Sequence, residues 1–96
     1  MEITSIKVER VQPKEKGICG EFSVVFDEVL CIHKVHVING EKGLFIGFPN
    51  TGEMRIYKGQ QRYFDIVHPI TGDFRQYVEE TILNKYNSIV ADINEE

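Results

Sequence analysis

Val35-His36-Val37-Ile38-Asn39-Gly40-Glu41-Lys42-Gly43-Leu44-Phe45-Ile46-Gly47-Phe48-Pro49 reads as a strand, a tight turn and a returning strand that stops at a proline. Asn39-Gly40 is the kind of pair that opens a turn needing positive φ, and Leu44 to Phe48 supplies the partner strand. A second stretch, Phe64-Asp65-Ile66-Val67-His68-Pro69-Ile70, ends a further strand in the same way, because proline cannot donate to a ladder.

Working back toward the N-terminus, Val29, Cys31, Val35 and Val37 share one face of a strand with His33, while Leu30, Ile32 and Ile38 share the other with Lys34 and His36. Both faces are largely apolar, which predicts a central strand covered on both sides. Before it, Ile18, Gly20, Phe22, Val24 and Phe26 alternate with Cys19, Glu21, Ser23 and Val25, the period of a strand with one buried face, and Asp27-Glu28 makes the turn between the two. Ile3, Ile6, Val8 and Val11 form a first strand that ends near Pro13, and Lys14-Glu15-Lys16-Gly17 is a solvated turn. Beyond Pro49, the segment to Gln61 reads as a loop in which Met54, Ile56 and Tyr57 carry some strand character, and Arg62 to His68 as another strand.

From Asp73 the period becomes helical. Phe74, Tyr77 or Val78, Thr81 or Ile82, Tyr86, Ile89, Val90 and Ile93 make one apolar stripe running to about Asp92, with Asp73 and Gln76 as a capping box. The expected fold class is α+β: an antiparallel meander of about five strands followed by one C-terminal α-helix, as a single domain over residues 1–96. One helix about 10 Å wide covers only one sheet face. A homodimer is therefore expected, pairing through the uncovered face or an open strand edge.

A chain of 96 residues with 42% hydrophobic and 27% charged side chains has the composition of an ordinary globular domain. No apolar run approaches the roughly 20 residues of a membrane helix, so no membrane insertion is expected. The start lacks the basic and apolar regions of a signal peptide, which predicts a cytoplasmic protein. Cys19 and Cys31 both fall within strands, which suits two buried thiols better than a disulfide or a metal knuckle.

The net charge of −4 is unevenly spread: from Glu79 to Glu96 only Lys85 opposes Glu79, Glu80, Asp92, Glu95 and Glu96. Between Pro49 and Phe64, Arg55, Lys58 and Arg62 face only Glu53. Bases interleaved with Tyr57, Tyr63 and Phe64 suit phosphate neutralisation combined with stacking on nucleobases, although a solvated surface loop commonly carries as many cations. Arg75 in the first helical turn extends this patch or is simply a solvent-facing cation.

Enzymatic chemistry finds little support. There is no Gly-x-Ser-x-Gly, no reactive Cys-His signature and no phosphate loop, and Gly40, Gly43 and Gly47 read as turn and sheet glycines. His33 and His36, three apart on a strand, point to opposite faces and cannot easily share a metal, and His68 has no cluster to join. No cofactor, no metal and no catalytic residue are expected.

Met1-Glu2-Ile3-Thr4, Val37-Ile38-Asn39-Gly40, Gly43-Leu44-Phe45-Ile46, Pro49, Asp65-Ile66-Val67-His68-Pro69-Ile70 and Leu83-Asn84-Lys85-Tyr86 occur in the order in which they resemble the SpoVG family of septation regulators, named for stage V sporulation protein G. The resemblance covers Met1 to about Tyr86. It implies a small bacterial cytoplasmic dimer, a regulator of septation and sporulation that binds DNA or RNA through basic residues after the strand-ending proline. Those residues correspond here to Arg55, Lys58, Arg62 and Arg75. Where the family places a basic pair soon after that proline, this chain has Asn50-Thr51-Gly52-Glu53, with its cations further along. The other expectation is a protein-interaction module in cell division that touches no nucleic acid and docks partners through a sheet edge or its acidic helix.

Overall fold

The computed structural model describes residues 1–94, with the side chains of 53–55, 57, 60–64 and 94 outside that description. It has six strands and one helix in chain order: β1 (Ile3–Val11), β2 (Gly17–Phe26), β3 (Leu30–Gly40), β4 (Gly43–Gly47), β5 (Asn50–Tyr57), β6 (Gln60–Asp65) and α1 (Gly72–Asn94). The first four make an antiparallel sheet in the order β1-β2-β3-β4, and β5 with β6 makes a separate two-stranded sheet. The α+β class holds, as an antiparallel sheet followed by one C-terminal helix. The meander is four strands plus a hairpin, so the segment after Pro49 that reads as a loop is strand β5.

Bulges decide which residues face the helix. In β1, Ile3, Ile6, Val8 and Val11 lie across from Phe26, Val24, Phe22 and Gly20, with register shifts between Ile3 and Ser5 and between Val8 and Arg10. Spacings of three along a strand would put these residues on opposite faces, and each shift restores them to one. In β2, a shift between Ile18 and Gly20 breaks the expected alternation. Cys19 goes into the core at 1% exposure, while Ile18, expected beside Phe22, lies across from Ile38 on the outer face at 39%.

The bulge in β3 corrects the histidine geometry. Ile32 pairs with Val24 and Val35 with Phe22, so His33 and Lys34 together oppose Ser23, and Lys34 takes φ 61°. Val35 is buried and Ile32 packs against the same core. His33 and His36, expected on opposite faces, therefore share the outer face, where His33 meets Ser23 and His36 meets Glu21. That face is less apolar than expected: Cys31 is exposed rather than buried, and Val29 lies open to solvent.

The first turn falls where the sequence places it, and the second is built differently. Asp27 and Glu28 both have positive φ, 51° and 59°, and Val29 N–H donates to the Phe26 carbonyl at 3.0 Å, closing a two-residue hairpin. The next hairpin closes on the pair Gly40 and Gly43, and its positive φ of 114° falls at Gly43, not at Asn39 or Gly40. Gly40 serves another need: a Cβ there would come within 2.8 Å of the Phe45 ring.

Thr71 caps the helix, its Oγ1 accepting from Phe74 N–H at 3.3 Å, in place of the expected box at Asp73 and Gln76. Gln76 instead donates to Glu80 one turn on, at 3.0 Å. Of the predicted stripe, Val78, Ile82 and Tyr86, at successive i+4 positions, are buried against Phe22, Val24, Phe26, Val35, Val37, Ile46 and Phe48. Phe74, Ile89 and Val90 flank them half-buried, and Ile93 is exposed. Phe74 lies 5.9 Å from both the Phe26 and Tyr77 rings, and the Tyr77 hydroxyl accepts from Ile3 N–H at 2.9 Å, tying the helix to the first strand.

Burial first, and then the Cys19 thiol beside it, push the Tyr86 hydroxyl above its ordinary value. A phenol whose pKa is higher folded than unfolded holds its proton more tightly in the native state. Its contribution is complete below the unfolded value of about 10 and is lost as pH rises through the folded value. Urea unfolding of the wild type is thus expected to weaken between about pH 9 and 11 more steeply than that of Tyr86→Phe. Parallel curves for the two proteins would contradict this assignment.

Candidate nucleic-acid interface

The β5–β6 hairpin stands apart from the main sheet and carries three of the four predicted contacts. Its base is closed by Asn50 across from Asp65 and by Ile66 N–H donating to the Pro49 carbonyl at 2.7 Å. Between Asn50 and Met54 the register shifts; there Gly52 has φ 75° and its N–H donates to Asn50 Oδ1 at 2.8 Å. This kink occupies the place where the family resemblance leads one to expect a basic pair.

Beyond the kink the ladder is regular: Met54 with Tyr63, Arg55 with Arg62, Ile56 with Gln61 and Tyr57 with Gln60. Lys58 and Gly59 form the tip, both with positive φ, 51° and 79°. A lysine in that conformation is unusual, since the left-handed region costs a residue with a Cβ about 1 kcal/mol. The strand ladder thus sets an exposed cation at the tip and two arginine positions directly across from each other behind it.

Arg75 is placed differently. Its guanidinium carbon lies 5.5 Å from the centre of the Phe48 ring and Nη2 donates to the Pro69 carbonyl at 3.3 Å. These contacts clip the start of α1 to the hairpin's base, on the order of 20 Å from its tip given about 3.3 Å per strand residue. The plain solvent-facing cation is not what the structure shows. Arg75→Ala is expected to lower stability by about 1 to 2 kcal/mol, from the lost carbonyl bond and ring contact. Arg75→Lys, which keeps the charge, should recover less than half of that in urea unfolding, because a lysine cannot lie flat over Phe48.

The sequence profile of the SpoVG family matches residues 1–88. The chain belongs to the SpoVG family. A protein of Borreliella afzelii described as "Putative septation protein SpoVG" is 40% identical over 88 residues, covering 90% of this chain and 86% of the relative. The family protein of the same description from Phytoplasma australiense is 34% identical over 94% of this chain and 88% of its own length. That of Agathobacter rectalis is 35% identical over 97% of this chain and all of the relative. The SpoVG match stops at residue 88, so the last helical residues, among them Asp92, lie beyond it.

On the outer sheet face lies a cluster that reading the sequence as an unbroken strand missed. His33 Nδ1 is 2.9 Å from Ser23 Oγ, which donates to Glu9 Oε1 at 3.1 Å, and Cys31 Sγ is 3.8 Å from His33 Nε2. His36 Nε2 pairs with Glu21 Oε1 at 3.0 Å. Among the described residues no three His, Cys, Asp or Glu side chains are grouped to hold a metal ion. No helix among them is long and apolar enough to cross a membrane.

Proposed function

We propose that this chain is a non-enzymatic regulator of septation and sporulation that contacts DNA or RNA through the β5–β6 hairpin, acting as a homodimer in the cytoplasm. The observation that carries the reading is the hairpin ladder, which pairs Arg55 with Arg62 and turns at Lys58. The septation role rests on the names of the relatives, all of which carry that description. Dimerisation draws support from the sheet itself. Its order leaves β1 and β4 as open edges, and Ile18 and Phe45 are exposed on the face opposite the helix. Two copies would turn two modest cationic hairpins into one site on a longer target.

A salt titration of labelled DNA and RNA binding tests this reading. The logarithm of the association constant should fall linearly with the logarithm of salt concentration, each phosphate contact contributing roughly 0.7 to 0.9 to the slope. No polarisation change with either nucleic acid at low salt would refute it. Such silence would favour a protein-interaction module in cell division, whose docking surface would be the β4 edge with its exposed Leu44 and Phe45.

A further inference from the structure

We propose that the hollow between the β2–β3 turn, the linker of residues 66–71 and the start of α1 docks a partner protein through one aromatic side chain flanked by lysine or arginine. The cavity measures about 140 Å³ and opens to solvent on one side. Phe26, Phe48, Phe74 and Val78 line it from the core, and Val67 and Pro69 of the linker make its outer wall. The stretch Asp65-Ile66-Val67-His68-Pro69-Ile70 thereby has a place that nucleic-acid contact by the hairpin does not explain. The wall is fixed in advance: Ile66 N–H donates to the Pro49 carbonyl at 2.7 Å, and Arg75 Nη2 donates to the Pro69 carbonyl at 3.3 Å. Little of the binding energy is then lost to ordering it.

Size and lining select the guest. A dry cavity of about 150 Å³ lined by Leu, Ile and Phe takes up benzene, so this one has room for a phenyl ring. Three phenyl groups in the lining offer edges and faces that an aromatic guest uses better than an aliphatic one. Exposed apolar side chains adjoin the mouth: Met1 and Leu30 line it, Val29 precedes Leu30, and Ile66 and Ile70, at 69% and 89% exposure, bracket the linker wall. A free molecule the size of one ring would leave these in water. A protein surface covers them around a central anchor, which is the anatomy of a binding hot spot.

Charge decides what flanks the ring. A second hollow shares Met1 and Phe74 with the first and is lined also by Glu2 and Asp73. Asp27 Oδ1 accepts from Glu2 N–H at 2.8 Å, Glu28 completes the same turn, and Asp65 precedes the linker. Against these five carboxylates stand Arg75 and the amine of Met1, so the surroundings of the mouth are net negative. Cations on either side of the anchor match that field, whereas the β5–β6 hairpin suits anions.

The probe is acetyl-Lys-Phe-Lys-amide, added to the full chain with its methyl groups isotopically labelled. The Ile32, Val67 and Val78 methyl signals are expected to move, with acetyl-Lys-Ala-Lys-amide and acetyl-Glu-Phe-Glu-amide each binding at least about fivefold more weakly. Val67→Trp, which fills the cavity from the linker, should weaken binding at least about tenfold with the circular dichroism spectrum unchanged. Glu2→Gln together with Asp73→Asn, two exposed positions, should weaken it about threefold and leave the cavity intact. The Arg55, Lys58 and Arg62 triple alanine variant should bind the peptide like wild type. Methyl signals unmoved at millimolar peptide, or equal affinity for the alanine or the glutamate peptide, would overturn the proposal. So would movement of the same methyls on diluting the protein alone, which would put a second copy in the cavity, or movement with toluene but with no peptide, which would make it a small-molecule site.

Discussion

Phe22→Ala is expected to remove about 3 to 5 kcal/mol of stability, while Ile18→Ala removes less than about 1 kcal/mol. Phe22 is 0% exposed, lies between Val8 and Val35 on the neighbouring strands, and packs its ring where a Cβ on Gly20 would come within 3.0 Å. Truncation would leave a cavity at the centre of the layer between sheet and helix, and β-strands held in register on both sides cannot collapse to fill it. Folded domains of this size hold roughly 5 to 14 kcal/mol in total, so about a fifth or more of the stability is at stake. With a urea slope of about 1 to 2 kcal/mol per molar, the midpoint should fall by about 2 M. Ile18 is an equally apolar residue four positions earlier, and an unbroken strand would give the two the same face and similar losses. Equal losses would mean that the β2 bulge at Cys19 is absent.

The second large effect concerns binding. Arg55, Lys58 and Arg62 changed together to Ala are expected to weaken nucleic-acid affinity about 100-fold at low salt and to lower the salt slope by about 2 to 3 per hairpin. The physical reason is local: the chain as a whole carries −4, so no general attraction to phosphate remains once the hairpin's cations are gone. Stability should stay within about 1 kcal/mol of wild type or rise slightly, since the ladder would lose its opposed arginines. An affinity and slope unchanged in a folded triple variant, followed by fluorescence polarisation with circular dichroism as the folding control, would assign binding elsewhere.

Much of this architecture was legible in the residues themselves. The turn at Asp27-Glu28, the return after Gly43 and the helical stripe through Val78, Ile82 and Tyr86 all follow from period and turn chemistry, and the structure keeps them. What periodicity could not show were the bulges, because each inserts one residue and inverts the parity of everything after it. Ile18, Cys31, His33 and His36 were all misplaced for that single reason, and with them the cluster on the outer face. The irregular spacing of Ile3, Ile6, Val8 and Val11 was the one visible signal, since those residues share a face only if the strand is interrupted.

The hairpin was hidden differently. Asn50-Thr51-Gly52-Glu53 reads as loop because the register does break there, yet pairing resumes at Met54 and the two-residue tip at Lys58-Gly59 lacks the asparagine or aspartate that usually announces such a turn. The four cations can be read off the chain, but where they sit relative to one another needed the fold. Three belong to the hairpin, and Arg75 is bound to Phe48 and Pro69 at its base.

Amide chemical shifts of the isotopically labelled protein, followed as a short oligonucleotide is added, test the hairpin's role most directly. The account predicts that the largest changes fall between Thr51 and Asp65, strongest around Arg55, Lys58 and Arg62, with the outer face at Ser23 and His33 left unmoved. Changes centred on that outer face or on the acidic end of α1, with the hairpin amides still in place, would contradict it.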